Sequence, residues 1–178
     1  MSASNDTGTS VSIPAVPAPL HYIDAEFVPA RSQRTFEVIN PATESLTTMA
    51  ARGDSEDIDA AVRAAKAAFD GGAWSRAKPS LRRKVLFRAA DLIEARSEEI
   101  IKLQSLEMGG PIGPAHPGPH PMIERSAWNF RFFAEEQELA GNESFNRDDS
   151  LLTYTMRDPV GVFGLITPWN GPFMLSKT

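Results

Sequence analysis

The stretch that decides the reading of the fold is Asp158-Pro159-Val160-Gly161-Val162-Phe163-Gly164-Leu165-Ile166-Thr167-Pro168-Trp169-Asn170. Asp158-Pro159 is a turn pair, and the apolar run Val160 to Ile166 reads as a buried strand that ends where Thr167 and Pro168 interrupt it. A short continuous apolar strand belongs to a parallel sheet, which needs neighbouring strands and helical crossovers to cover both faces. Only eight residues follow Asn170. The expected sheet is therefore incomplete within this chain.

Upstream of that strand, Leu151 to Arg157 alternates as a second strand, and Met122 to Leu139 reads as a helix carrying Trp128, Phe130, Phe132 and Phe133, which need a large surface to cover them. Residues 109–121 hold five prolines and four glycines, which remove backbone donors and add freedom, so a loop is expected there. Before it, two helices are expected. Pro79 opens the first, with an apolar stripe of Leu81, Val85, Leu86, Ala89, Leu92 and Ile93. Ser97 followed by Glu98-Glu99 restarts the pattern, placing acids at the positive end of a helix that runs to Gly109. Asp54 is suited to cap an earlier helix, with Ile58, Ala61, Val62, Ala65 and Phe69 inward and Gly71-Gly72 at its end. Tyr22-Ile23, Phe36 to Ile39 and Leu46 to Ala51 favour strands, the last two separated by Asn40-Pro41. The class is α/β, with a disordered leader over residues 1–20 and one partial domain over 21–178.

Composition narrows the function. A net charge of -5 in 178 residues argues against a nucleic-acid or anionic-membrane surface. No apolar run approaches the roughly 18 residues of a membrane helix. The leader contains no Lys or Arg, so it has neither the basic start of a signal peptide nor the arginines of a transit peptide, and a cytoplasmic protein is expected. The chain has no cysteine, which removes disulfides, thiolate metal sites and any thiol nucleophile together.

Four separated signals, in order, resemble the amino-terminal part of the NAD(P)-dependent aldehyde dehydrogenases. They are Ile39-Asn40-Pro41-Ala42-Thr43; the helix Asp57 to Phe69 before Trp74-Ser75; Arg82-Arg83 through Ala90-Asp91-Leu92-Ile93-Glu94 to Leu106-Glu107-Met108-Gly109; and Asp158-Pro159-Val160-Gly161-Val162 leading to Pro168-Trp169-Asn170. The wording of Phe130 to Glu135 and Asn170 to Met174 is most similar to the subgroup that oxidises hydroxymuconic-type semialdehydes. The resemblance implies the amino-terminal part of that fold, an incomplete Rossmann-like cofactor domain with a strand from the oligomerisation region.

It also implies chemistry. In such enzymes a cysteine thiolate attacks the aldehyde carbon, hydride passes to the nicotinamide of NAD or NADP, and a glutamate activates the water that hydrolyses the thioester. Asn170 matches the asparagine whose neutral amide stabilises the developing oxyanion; a turn or helix-cap role is the plain alternative. Ile166, Thr167, Pro168 and Trp169 match the loop beside the cofactor, the backbone of Ile166 and Thr167 and the ring of Trp169 lining it. For Trp169, ordinary core packing is the alternative. Relatives carry the cysteine and the glutamate further along, so the resemblance implies that this chain is inactive alone and holds the cofactor weakly. Its partners by resemblance are an aldehyde substrate and, as a homo-oligomer, other copies, with no nucleic acid and no membrane.

Other candidates read more plainly. His116 and His120 have helical spacing for a metal, but Pro117, Pro119 and Pro121 forbid the helix and no third ligand stands near, so a solvated loop and no metal site are expected. Ser176 and Thr178 have no base partner to make them nucleophiles. Some relatives hold a monovalent cation near the positions of Val38 and Ile39 with help from an acid at Glu107; a solvated helix-end carboxylate is the simpler reading. Arg82-Arg83-Lys84 reads as a solvated helix face. Two further functions stay open: a non-catalytic module that assembles with full-length homologues, and a non-functional remnant that exposes its aromatic face.

Overall fold

A computed structural model describes residues 16–111 and 121–175. The order is β1 (His21–Ile23), β2 (Glu26–Val28), β3 (Thr35–Ile39), β4 (Leu46–Ala51), α1 (Ser55–Gly71), α2 (Pro79–Ala95), α3 (Ser97–Met108), α4 (Pro121–Leu139), β5 (Ser144–Asp148), β6 (Leu151–Tyr154) and α5 (Pro172–Leu175). Helices and strands mix as the α/β class requires. The strands among the described residues form three antiparallel hairpins, β1-β2, β3-β4 and β5-β6. Two of these strands, β2 and β5, escaped the sequence reading, because three residues of Glu26–Val28 and the polar run Ser144–Asp148 carry no apolar alternation.

In the β3-β4 hairpin the Asn40-Pro41 turn is built by the side chain of Asn40, whose Oδ1 accepts from the Ala42 N–H at 2.9 Å while its own N–H donates to Ser45 O at 2.9 Å. The end of α3 rests on this turn. Gly109 has φ +70°, and a Cβ on it would lie 2.8 Å from Pro41 Cγ, so both its left-handed backbone and its contact require glycine. Two of the separated sequence signals, Asn40 to Thr43 and Leu106 to Gly109, are thus one packed corner.

Asp54 caps α1 as its sequence suggests. Its side chain accepts from the Glu56 N–H at 3.1 Å, and the Asp57 carboxylate reaches back to the Asp54 N–H at 3.1 Å, closing a capping box. The expected inward face of α1 is not inward: Ile58 is 63% exposed and Val62 49%. The residue α1 does bury is Asp57, turned toward β1 and the Arg31 backbone.

The core lies where α2 crosses α4. Ala90, Ile93, Ile123 and Ala127 are buried together, with Ile100, Ile101, Phe130 and Phe173 packed around them. Alanines at the crossing let two helices approach closely, as ridges fitting grooves. The expected stripe of α2 is shifted accordingly. Leu81, Val85 and Leu92 are exposed, while Ala90, which the expected stripe omits, is fully buried. Arg131 clamps the outside of the crossing, donating to Asp91 at 2.9 Å and to Glu94 at 2.8 Å. The aromatic residues of α4 largely face outward: Trp128 stacks on Phe132 with ring centres 5.0 Å apart, and both stay more than 40% exposed. Two helices do replace one at Arg96-Ser97, where the backbone leaves helical geometry at Arg96 and restarts at Ser97.

At the amino-terminal end, residues 16–20 run beside β4, the Pro19 carbonyl accepting from the Ala51 N–H at 2.9 Å. Residues 1–15 lie outside the described residues, as do His116 and His120 of the Pro/Gly-rich stretch and Ser176 and Thr178.

Candidate active-site loop

Thr155 leaves the β5-β6 hairpin, its N–H donating to the Glu143 carbonyl at 2.8 Å, and from there to Pro168 the chain has no regular structure. The buried strand expected over Val160 to Ile166 is therefore not formed. Val160 is 95% exposed, Phe163 76%, Leu165 58% and Ile166 98%. The physical reason lies in the topology: a strand is stable only when a neighbour takes up its N–H and C=O groups, and no described strand runs beside this segment. The apolar pattern specified what the segment needs. It did not supply the partner.

The proposed site residues follow directly. Ile166 projects into solvent, Thr167 is partly covered, Pro168 is exposed, and Trp169 and Asn170 form a turn, Trp169 being 61% exposed. Core packing of Trp169, the alternative reading, does not occur here. What fixes the turn is its far side, because Gly171 is buried and α5 packs against α4. Phe173 is the anchor, lying on the cluster of Ala90, Ile93, Ile123 and Ala127. Sequence reading used Phe173 only within the Asn170 to Met174 wording and gave it no packing role, although an aromatic residue straight after Gly171-Pro172 is the signal for a short helix that needs a surface. The loop thus has one end held by the helical core and the other by a hairpin, with Asn170 beside the held end.

The arrangement can present the Asn170 amide, a neutral group with two N–H donors, to an anionic oxygen. It contains no thiol, since the chain has no cysteine. Elsewhere, Glu107 differs from the solvated carboxylate expected: it is half-buried near the end of α3, and burial pushes its carboxyl above the ordinary range. Asp57 shifts the other way. The Arg31 backbone N–H, donating at 3.0 Å, holds its carboxyl below the usual value against the opposing effect of burial, helped by the Asp54 N–H and the nearby His21. A cleft of about 570 Å³ lies between Val16-Pro17 and the α2-α3 junction at Arg96 and Ser97, away from the loop in sequence. No group of three or more His, Cys, Asp or Glu suited to a metal is found among the described residues. No helix among them is long and apolar enough to cross a membrane.

Residues 27–178 match the aldehyde dehydrogenase family. Aldehyde dehydrogenase 1 of Tanacetum cinerariifolium is 40% identical over 157 residues, covering 86% of this chain and 30% of the relative. The 2-aminomuconic semialdehyde dehydrogenase of Danio rerio is 42% identical over 156 residues, covering 87% and 31%. Among solved structures, the indole-3-acetaldehyde dehydrogenase AldA of P. syringae in complex with NAD+ and IAA superposes with a TM-score of 0.81 at 34% identity, covering 87% of this chain and 31% of that one. The chain spans about a third of the length of the curated relatives it matches.

Proposed function

This chain belongs to the aldehyde dehydrogenase family, and from that membership we propose that its 178 residues supply one part of an NAD(P)-dependent aldehyde-oxidising site and do not complete that site alone. In this reading Asn170 is the oxyanion donor, and Ile166, Thr167, Pro168 and Trp169 line the cofactor. The nucleophilic cysteine and the general-base glutamate come from sequence that these residues do not include. One observation carries the reading. The chain has no cysteine at all, although thiolate attack is the step by which the family's chemistry starts. The substrate is an aldehyde, and the likeness to a muconic semialdehyde dehydrogenase at 42% identity favours a semialdehyde of that kind. The expected setting is the cytoplasm, with homo-oligomeric assembly of the whole fold.

The chemistry assigned to Asn170 follows from charge. When a thiolate adds to the carbonyl carbon, the carbonyl oxygen becomes anionic, and a fixed amide donor gains most of its interaction energy at that moment. Losing such a donor typically costs about 10²–10³ in kcat. The test joins this chain to the remaining two-thirds of the Danio rerio relative and compares the chimera with its Asn170→Ala variant. A fall of that size in kcat with little change in aldehyde KM is expected, because the donor acts on the transition state more than on the bound aldehyde. A rise in KM at unchanged kcat would assign Asn170 to binding or to the turn alone.

A second reading rests on its own observation. Trp128, Phe132 and Phe133 on α4 and Val160, Phe163 and Ile166 on the loop stay exposed, a quantity of apolar surface that marks interaction sites. The chain would then act as an assembly module joining full-length homologues, and co-purification with an intact homologue is its sign.

A further inference from the structure

We infer that Asn170-Gly171 is a self-modifying dipeptide, at which the Asn170 side-chain amide is lost as ammonia and replaced by a carboxylate. Of the six asparagines in the chain, only Asn170 precedes glycine. The step is an intramolecular acyl transfer. The backbone nitrogen of Gly171, on losing its proton to hydroxide, attacks Cγ of Asn170; a C–N bond closes a five-membered succinimide, the Cγ–Nδ2 bond breaks, and Nδ2 leaves as ammonia after taking a proton. Water then adds to either ring carbonyl, the bond from that carbon to the Gly171 nitrogen breaks as the nitrogen takes back a proton, and aspartate or isoaspartate results. No electrons are gained or lost, and water is the sole co-reactant.

Two features of the structure favour this ring closure. Asn170 lies in a turn, outside any helix or strand, with an exposed side chain, and among the described residues no hydrogen bond to its side-chain amide is found. Glycine at the next position carries no Cβ to block the approach of its nitrogen to Cγ. The attacking nitrogen belongs to Gly171, which is buried at the start of α5, so ring closure requires that end of the turn to open. A contrasting dipeptide lies within the same molecule. Asp70-Gly71 sits in the last turn of α1, with its carboxylate held by Lys66 Nζ at 2.9 Å, so its helical backbone and paired side chain oppose the same ring closure.

The consequence rests on the donor role proposed above for Asn170. An aspartate is an acceptor only and carries a negative charge, so the modified residue repels the oxyanion that the amide would stabilise. The chain therefore carries a clock: each conversion removes one donor.

Peptide mass spectrometry on the full chain, incubated at mildly alkaline pH, tests the dipeptide directly, with enzymatic methylation of isoaspartate as an independent readout. The expected result is an –NH2 to –OH mass gain and methyl acceptance in the peptide containing residue 170, ahead of Asn142 and Asn146, while Asp70-Gly71 stays unmodified. In the Gly171→Ala variant, whose new Cβ would meet Leu175 Cδ1 at an ordinary 3.5 Å, the rate should fall to that of Asn142 and Asn146. Conversion of Asn170 no faster than those two asparagines, or an unchanged rate in Gly171→Ala, would overturn the inference. Modification that proceeds as expected yet leaves kcat of the chimera intact would count against the donor role alone.

Discussion

Asp54 and Asp57 do related work at the start of α1. Asp54 satisfies a free N–H of the first turn, while Asp57 closes the box and also accepts the Arg31 N–H at 3.0 Å, tying the strand region to the helix. Removing an N-cap side chain costs about 1 kcal/mol, so Asp54→Ala should lower the urea midpoint correspondingly without altering the slope. A change within error would mean that the cap carries no weight. Capping by Asp54 was legible in the sequence, because a short polar acceptor ahead of an apolar period is a local signal. The burial of Asp57 was not, since the group that covers it comes from Arg31, far back along the chain. The same limit applies at Asn170: its proposed role comes from resemblance alone, whereas its exposure beside an anchored Phe173 depends on a contact with α4 that no local pattern reveals.

Among the elements, the α2-α4 crossing carries the core. Ile123 is fully buried within it, and truncation to alanine removes its contacts and leaves a cavity. Ile123→Ala should destabilise by about 2–5 kcal/mol in equilibrium denaturation; a loss below about 0.5 kcal/mol, typical of surface positions, would place the core elsewhere. The clamp on this crossing has a pH signature. Hydrogen bonding to Arg131 holds the Glu94 carboxyl below its ordinary range, so its stabilisation is fully present above the unfolded glutamate value of about 4.3 and is lost as pH falls through the lower folded value. In Arg131→Met the stability should be lower at neutral pH and decline less steeply on acidification than in the parent. Parallel curves for the two proteins would remove Glu94 from the account. Helix existence and the break at Arg96-Ser97 could be read from periodicity, but which stripe of α2 is buried could not. Leucines at Leu81 and Leu92 outweigh Ala90 in any apolar count, while a close crossing selects the smallest residue.

For the molecule as a whole, the residues that reading marked as a buried strand are among its most exposed, with Ile166 at 98% and Val160 at 95%. The apolar pattern recorded a requirement for neighbours, and the three antiparallel hairpins of the described residues do not meet it. The α/β class and the family were legible because four motifs keep their order along the chain, and two of them meet in space where Gly109 abuts Pro41. The role proposed for the loop rests on sequence alone, since nothing local determines what lies against it. The central claim is that these residues carry an oxyanion donor and no nucleophile. It is tested most directly by measuring NADH or NADPH formation by the purified 178-residue chain with an aldehyde and either cofactor. No turnover above the uncatalysed rate is expected, whereas turnover that Asn170→Ala abolishes would contradict the claim.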